Sequence, residues 1–306
     1  FPTRRSSDLE VAENYEPKCF CILVLDISGS MNEIIENTSE TTQTGQTIFV
    51  DGKTYNVVNG GTSKLDNLNK SLKQFYDNIE SDDTMSQRLE LSVITFNDNV
   101  TIVQEPSLIS NCEIPILEAN GDTALVDAVY EAIELVDARK KWYKSTNQAY
   151  YRPWIVLITD GEPDECQDIA TLAERIKEDT AHKRYAFLPI GVDNANMSVL
   201  QSIQGQIPAM KLKGTKFSSF FKWLSGSMEV IISGGFPTVL PIGWIHTQSN
   251  KNNMRRTITI LCLCLTCISH LQAQLNAETL IDQYGAIRSD ITKEACKIVG
   301  FKDKET

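Results

Sequence analysis

The chain is poor in the residues on which zinc ribbons and histidine-based hydrolases depend. Its 306 residues include 3 histidines, and its 8 cysteines do not form the two CxxC pairs of a zinc ribbon. A catalytic or metal-binding site built on several histidines is therefore disfavoured. We expect any metal site in this sequence to draw on oxygen-bearing side chains instead.

Basic residues are in the minority. The sequence has 29 Lys and Arg against 40 Asp and Glu, which gives a formal net charge of -11. Nucleic-acid binding depends on a concentrated basic face, so nucleic acid is not expected as a partner. Hydrophobic residues make up 42% and charged residues 23%, which is ordinary for a globular protein. An acidic chain of this kind suits a divalent cation.

Neither end of the chain resembles the middle. Residues 1–9 (FPTRRSSDL) resemble a translated sequencing adapter, and we expect 1–17 to be an extraneous, disordered segment. Near the other end, residues 257–271 (TITILCLCLTCISHL) form an apolar run that is shorter than the about 20 residues of a membrane span. Together with the arginines before it, this run is typical of a secretory signal peptide, which belongs at an N-terminus. We interpret 254–306 as a fused second reading frame, with a genuine hydrophobic helix or weak membrane anchor as the alternative.

Between these ends, residues 18–250 are expected to form one α/β domain. The run 20–26 (FCILVLD) is apolar on both faces, as in a central parallel strand covered by helices on either side. Further strand-like and helix-like segments alternate along the chain, which predicts a doubly wound, mostly parallel sheet with helices on both faces. The predicted strands are 89–96, 100–103, 154–159 and 185–192, and the predicted helices are 63–80 with Ser63 as N-cap, 123–141, a segment around 169–176, 196–204 and 217 to about 232.

A polar insertion interrupts this alternation after the first strand. Residues 32–62 are rich in Asn, Thr and Gly, and the segment 47–58 predicts a β-hairpin, at about 45–60, with Asp51 and Gly52 at its turn. Such a hairpin either forms one wall of a binding face or is a tolerated surface loop. Both interpretations remain open.

Oxygen-bearing side chains stand where several of these segments reach the edge of the sheet. The candidates follow predicted strands or begin a predicted helix, and they are Asp26, Ser28, Ser30, Thr123 and Asp160. Because the loops at the carboxyl ends of parallel strands share one edge, we expect these side chains to lie close together. All are hard oxygen donors, which favours Mg²⁺ or Mn²⁺ over zinc, with Ca²⁺ less favoured. The hydroxyls dilute the negative charge, so an open coordination position is expected.

The same motifs resemble the three loops of a von Willebrand factor A domain. The segments that carry the resemblance are DISGSM (26–31), GDTAL (121–125) and LITDGEPD (157–164). A closer similarity is to the tellurium-resistance-type branch found in bacteria. It rests on YRPWIVLITDGEPD (151–164), LPIGV (188–192) and GTKFSSFFKWLSGSM (214–228).

The resemblance covers roughly residues 18–245 and implies both a site and a function. The site is a metal-ion-dependent adhesion site, whose ligands would be Asp26, Ser28, Ser30, Thr123 and Asp160, the last directly or through water. The family generally binds proteins through the metal and does not catalyse a reaction. An Asp or Glu of a protein partner would complete the coordination of the metal. By the same resemblance we expect a cytoplasmic bacterial adaptor in stress response or signalling.

Further acidic residues stand near the predicted ligands. Asp122 precedes Thr123 where the family usually has a small residue, so it either supports the metal from behind the ligands or is an exposed loop charge. Glu162 and Asp164 follow Asp160, and they either contact a basic partner or are solvated.

Two other functions fit the sequence less well. Asp26 after a first strand resembles the nucleophile of haloacid-dehalogenase-type phosphatases, but those enzymes need a second aspartate where Ser28 stands. A structural domain, in which a metal only holds loops in place, is the other alternative. We therefore expect no enzymatic activity.

Cys19 and Cys21 are expected to be buried reduced thiols, so nothing through residue 250 requires an oxidising compartment.

Overall fold

The computed structural model describes residues 16–36, 42–50, 53–160, 163, 167–193, 195–212 and 216–233. The strands are β1 (Cys19–Asp26), β2 (Ile34–Glu36), β3 (Thr42–Val50), β4 (Lys53–Asn59), β5 (Thr62–Ser63), β6 (Leu89–Phe96), β7 (Val100–Leu108), β8 (Trp154–Thr159), β9 (Ala186–Val192) and β10 (Met210–Leu212). The helices are α1 (Lys64–Glu80), α2 (Asp83–Arg88), α3 (Leu125–Ser145), α4 (Ile169–Ala181), α5 (Met197–Ser202) and α6 (Phe217–Ile232). The predicted fused segment 254–306 and the adapter-like residues 1–9 lie outside the described residues.

Six strands form the central sheet in the order β10-β9-β8-β1-β6-β7. All neighbours in it run parallel except β6 and β7, which form an antiparallel hairpin. The first strand, β1, lies between β6 and β8, so both of its edges are hydrogen-bonded. This confirms the predicted mostly parallel α/β sheet.

Helices cover both faces of the sheet, as predicted. Every residue of β1 is buried, and alternate side chains enter two separate hydrophobic clusters. On one face Leu23 shares a cluster with Phe75 of α1 and Phe220 of α6. On the other face Ile22 shares a cluster with residues of α3 and α4, among them Val129. Burial on both faces explains why this strand reads as a continuous apolar run.

The two cysteines of β1 are buried free thiols. Burial raises the pKa of Cys19 to about 12, because a thiolate would lose its solvation there. Burial raises the pKa of Cys21 as well. Both side chains therefore act as small hydrophobic residues, which confirms that interpretation of the sequence.

The insertion contains the predicted hairpin. Strands β3 and β4 pair antiparallel in a sheet of their own, and they extend beyond the predicted segment 47–58. Phe49 is 74% exposed on β3. The turn residues Asp51 and Gly52 lie outside the described residues, so their conformation stays a prediction.

Helix α1 begins where its cap was predicted. The Ser63 hydroxyl accepts a hydrogen bond from the Asp66 backbone N–H at 3.1 Å, and the Ser63 N–H donates to the Asp66 carboxylate at 2.8 Å. Together these bonds form a capping box, which satisfies backbone donors at the first turn.

Several boundaries differ from the prediction. Helix α3 begins at Leu125 and not at Thr123, because Ala124 has non-helical backbone angles (φ -77°, ψ 57°), and its N–H bonds to the Asn97 carbonyl in the neighbouring loop. Strand β7 runs to Leu108, past Pro106, which is tolerated because β7 is an edge strand with an irregular register. Helix α2 and strand β10 have 6 and 3 residues, which is too short for a hydrophobic period to be recognised in the sequence.

None of the described helices is both long and apolar enough to cross a membrane.

A buried ion pair fastens α3 to the sheet. The Arg139 guanidinium donates two hydrogen bonds, of 2.8 and 3.0 Å, to the Glu90 carboxylate on β6. Tyr143 also donates its hydroxyl to Glu90. Burial alone would lower the pKa of Arg139, but Glu90 outweighs it and the pKa is raised. The guanidinium therefore stays charged inside the protein.

Removing one member of this pair should be costly, because the other charge would remain buried without its partner. We expect Arg139→Met to lower the free energy of unfolding by about 3–5 kcal/mol. Lys73→Met is the matched control, since Lys73 forms an exposed pair with Asp77 and should contribute about 0–1 kcal/mol. Urea unfolding of the two variants measures both, and equal losses would contradict this role of Arg139.

Candidate metal site

The carboxyl ends of two neighbouring parallel strands bring the predicted carboxylates to one edge of the sheet. Asp26 is the last residue of β1, and Asp160 directly follows β8. The strands are in register, with Leu25 opposite Ile158. Both aspartates are nonetheless buried, at 0% and 6% exposure. Two carboxylates thus lie at the head of the sheet, shielded from bulk water.

The first loop turns the two serines back towards these carboxylates. The Ser28 backbone N–H donates to Asp26 Oδ1 at 2.8 Å, which closes a tight turn after β1. A short 3-10 helix, Gly29–Asn32, follows and carries Ser30. The Ser28 and Ser30 hydroxyl oxygens are 3.0 Å apart, and Ser30 Oγ donates to Asp160 Oδ1 at 2.6 Å. Four of the five predicted ligands therefore belong to one hydrogen-bonded network.

The second loop lies against the first. The Gly29 N–H donates to the Gly121 carbonyl at 2.9 Å, and the Asn120 N–H donates to the Ile27 carbonyl at 2.9 Å. Thr123, two residues beyond Gly121, is fully buried in the loop before α3. Its carbonyl accepts a hydrogen bond from the Gln167 side chain at 2.6 Å.

Gly121 makes this loop path feasible. Its φ is +73°, a left-handed conformation that favours glycine, and a Cβ there would lie 2.0 Å from Asp98 Oδ2. Any other residue would have to displace the Asp98 carboxylate. That carboxylate also accepts the Asp122 N–H at 3.1 Å.

Of the other acidic candidates, the structure describes only Asp122. Asp122 is exposed, and its backbone contacts Asp98. This favours the interpretation of Asp122 as a loop charge over a support for the metal. Glu162 and Asp164 lie outside the described residues, and their part in partner binding stays a prediction.

One residue that contacts a predicted ligand was not expected from the sequence. Lys64, the first residue of α1, places its ammonium 2.6 Å from Asp160 Oδ2 and 2.5 Å from Glu33 Oε2. Its side chain is only 3% exposed, and that of Asp160 is 1% exposed. A lysine in the first turn of an amphipathic helix is normally solvated, so the pattern carries no sign of this contact. Only the fold shows that α1 begins beside Asp160.

The charges in the site influence one another strongly. Burial raises the pKa of Asp26 to about 7, and repulsion by Asp160 adds to the effect, although hydrogen bonds from Ser28 and Thr159 oppose it. Burial lowers the pKa of Lys64, but Asp160 and Glu33 outweigh it, so the net pKa is raised and the side chain stays an ammonium. The raised pKa of Asp26 therefore comes mainly from its burial and only secondly from the neighbouring charge. A cation beside Asp26 would favour its charged form.

The donor set fits a divalent cation that prefers oxygen. Within the described ranges no group of three or more His, Cys, Asp or Glu side chains is placed to hold a metal ion. The network instead combines carboxylates with hydroxyls, which are neutral oxygen ligands suited to Mg²⁺ or Mn²⁺. A set this weakly charged leaves a bound cation able to attract a further anionic ligand.

The central part of the sequence matches a known family. The model of the von Willebrand factor type A domain matches residues 21–221, and the chain belongs to that family. This confirms the family predicted from the three loop motifs, while the tellurium-resistance branch stays a prediction. No curated protein sequence matches the chain.

Solved structures show distant likenesses. Proximal thread matrix protein 1 from the mussel byssus is 15% identical, with 68% of this chain and 45% of that chain covered and a TM-score of 0.43. The PilB minor pilin of Streptococcus sanguinis is 15% identical, with 74% and 64% covered and a TM-score of 0.47. BatB of Bacteroides thetaiotaomicron is 15% identical, with 71% and 100% covered and a TM-score of 0.42. The chain spans less than two thirds of the first two, and likenesses this distant carry no conclusion about its function.

Replacing one buried carboxylate should separate metal binding from folding. Asp26→Asn keeps the shape of the side chain and removes one of two repelling charges, so we expect the metal-free variant to melt no lower than the parent. We expect Mg²⁺ to raise the melting temperature of the parent and not that of Asp26→Asn. Thermal unfolding of both proteins in chelator and in Mg²⁺ measures this.

Asp122→Asn is the control for this experiment. Because Asp122 is exposed, its variant should keep the full response to Mg²⁺. An Asp26→Asn protein that still responds like the parent would contradict the assignment of Asp26 as a ligand.

Proposed function

We propose that the chain is a metal-dependent protein-binding module. In this proposal Mg²⁺ is held by Asp26, Ser28, Ser30, Thr123 and Asp160, and it accepts a carboxylate from an Asp or Glu of a protein partner. The observation that carries the proposal is the buried network from Asp26 through Ser28 and Ser30 to Asp160, which joins two strand ends. Membership of the von Willebrand factor type A family supports the same function.

The choice of metal follows from how the carboxylates are used. Each oxygen of Asp160 already accepts a hydrogen bond within the protein, from Ser30 and from Lys64. Each oxygen of Asp26 does so as well, from Ser28 and Thr159. Bidentate binding of the kind that Ca²⁺ commonly uses is therefore disfavoured. Single oxygen contacts suit Mg²⁺ or Mn²⁺, which also keep water molecules in their coordination shell.

The wider setting of the proposal rests on resemblance. The segments 151–164, 188–192 and 214–228 are similar to the bacterial tellurium-resistance-type branch. We propose on that basis an adaptor in bacterial stress response or signalling, located in the cytoplasm. The proposal includes no catalytic step, because Ser28 stands where a phosphatase of the haloacid-dehalogenase type needs its second aspartate.

A structural role for the metal is the second candidate. Ser30 and Asp160 already connect loops that are 130 residues apart in the sequence, and a cation between them would strengthen that connection. In that case Mg²⁺ would raise stability, but capture of a partner would be the same with and without the metal. The two candidates therefore differ in one measurable dependence.

Partner capture should need both the metal and Asp26. We expect the full chain to bind Mg²⁺ in a calorimetric titration and to retain a protein partner from its source cells in Mg²⁺ but not in chelator. Asp26→Ala should lose metal binding and capture while keeping the circular dichroism spectrum of the parent, because the backbone of β1 stays paired with β6 and β8. Asp122→Ala serves as the matched control and should retain both. Capture at full strength by a folded Asp26→Ala protein would refute the proposal.

A further inference from the structure

Lys64 holds the carboxylate that a metal would need. Its ammonium is 2.6 Å from Asp160 Oδ2, and Ser30 occupies the other oxygen of that carboxylate at 2.6 Å. Both partners of the Lys64–Asp160 pair are almost fully buried, so water screens their interaction weakly. The protein thus supplies Asp160 with a cation of its own.

A second carboxylate keeps Lys64 in this place. Glu33 Oε2 lies 2.5 Å from the Lys64 ammonium, and the Glu33 carbonyl accepts the Lys64 backbone N–H at 3.1 Å. Glu33 is partly exposed, at 34% of its side chain, whereas Asp160 is buried. The lysine therefore has an alternative anionic partner on the solvent side if it leaves Asp160.

A divalent cation and the Lys64 ammonium cannot share Asp160 at no cost. Two positive charges at one buried carboxylate repel each other, and the repulsion is large where the dielectric constant is low. We propose that Lys64 is an internal cation that competes with the divalent metal for Asp160 and thereby lowers the affinity of the site. This inference rests on the proposed metal-binding function and adds the residue that regulates it.

The position of the pair links the metal site to the inserted hairpin. Glu33 stands directly before β2 and Lys64 directly after β5, and these strands pair with each other through Ile34 and Ser63. The β2–β5 pair closes the base of the insertion that carries β3 and β4. If Lys64 left Asp160 and kept only its contact with Glu33, the change would therefore take place at the base of the hairpin. Lys64 is a positioning residue in this account, since it acts on the metal through Asp160.

Removing the competing charge should tighten metal binding. We expect the full-length Lys64→Met protein to bind Mg²⁺ at least about tenfold more tightly than the parent in a calorimetric titration, because the repulsion between two buried cations is removed. Glu33→Gln should change the affinity in the opposite direction, because it removes a negative charge and leaves Lys64 to Asp160 alone. Lys73→Met, on the same helix but in an exposed ion pair, is the matched control and should bind Mg²⁺ like the parent. A purely structural role for Lys64 would not produce changes of opposite sign.

The outcomes separate this inference from the function on which it rests. A parent that binds Mg²⁺ and a folded Lys64→Met protein that binds it equally or more weakly would overturn the role of Lys64 alone. Failure of the parent and of both variants to bind Mg²⁺ would overturn the metal site and this inference together. If Lys64→Met does not fold, Glu33→Gln decides the question, and an affinity equal to or higher than that of the parent would overturn the inference.

Discussion

The arrangement of the site follows from two like charges buried at adjacent strand ends. Asp26 and Asp160 end up at one edge because β1 and β8 are parallel neighbours, and both are shielded from water by the loops around them. Burial raises the pKa of Asp26, the charge of Asp160 adds to the effect, and the two carboxylates need compensation. The serine hydroxyls, the turn after β1 and the ammonium of Lys64 each supply part of it. A divalent cation would supply the rest.

The scaffold keeps these charges in position by burying its central strand completely. Alternate residues of β1 face two hydrophobic clusters, so the strand cannot shift by one residue without exchanging its faces. The ion pair of Glu90 and Arg139 holds α3 against β6, and the loop before α3 carries Thr123. Packing at a distance from the site therefore sets the geometry of its loops.

The sheet, and the meeting of Asp26, Ser28, Ser30 and Asp160 at its edge, could be inferred from the sequence, because each has a local signal. A strand buried on both faces shows as a continuous apolar run, and an oxygen-rich turn directly after it shows as DISGSM. Helix α1 and its Ser63 cap were predictable for the same reason. The start of α3 was placed two residues early, since Ala124 has a non-helical backbone and bonds through its N–H to Asn97 in another loop.

The contact between Lys64 and Asp160 could not be predicted from local sequence patterns. Its role depends on the distance between α1 and the end of β8, which are 96 residues apart in the sequence, and no spacing rule connects them. The insertion adds to the difficulty, because it separates Glu33 from Lys64 by 31 residues while β2 and β5 bring them together. Long-range contacts between charged side chains become visible only once the chain is folded.

The network around Asp26 and Asp160 is the proposed metal site. Crystals of the full chain grown with Mn²⁺ would test it most directly, since the anomalous scattering of manganese locates the ion independently of the protein atoms. We expect one strong peak within bonding distance of Asp26, Ser28, Ser30 and Thr123, with Asp160 bound to the ion directly or through water and the Lys64 ammonium on Glu33 alone. A peak only at other sites, with the Lys64 ammonium still on Asp160, would contradict it.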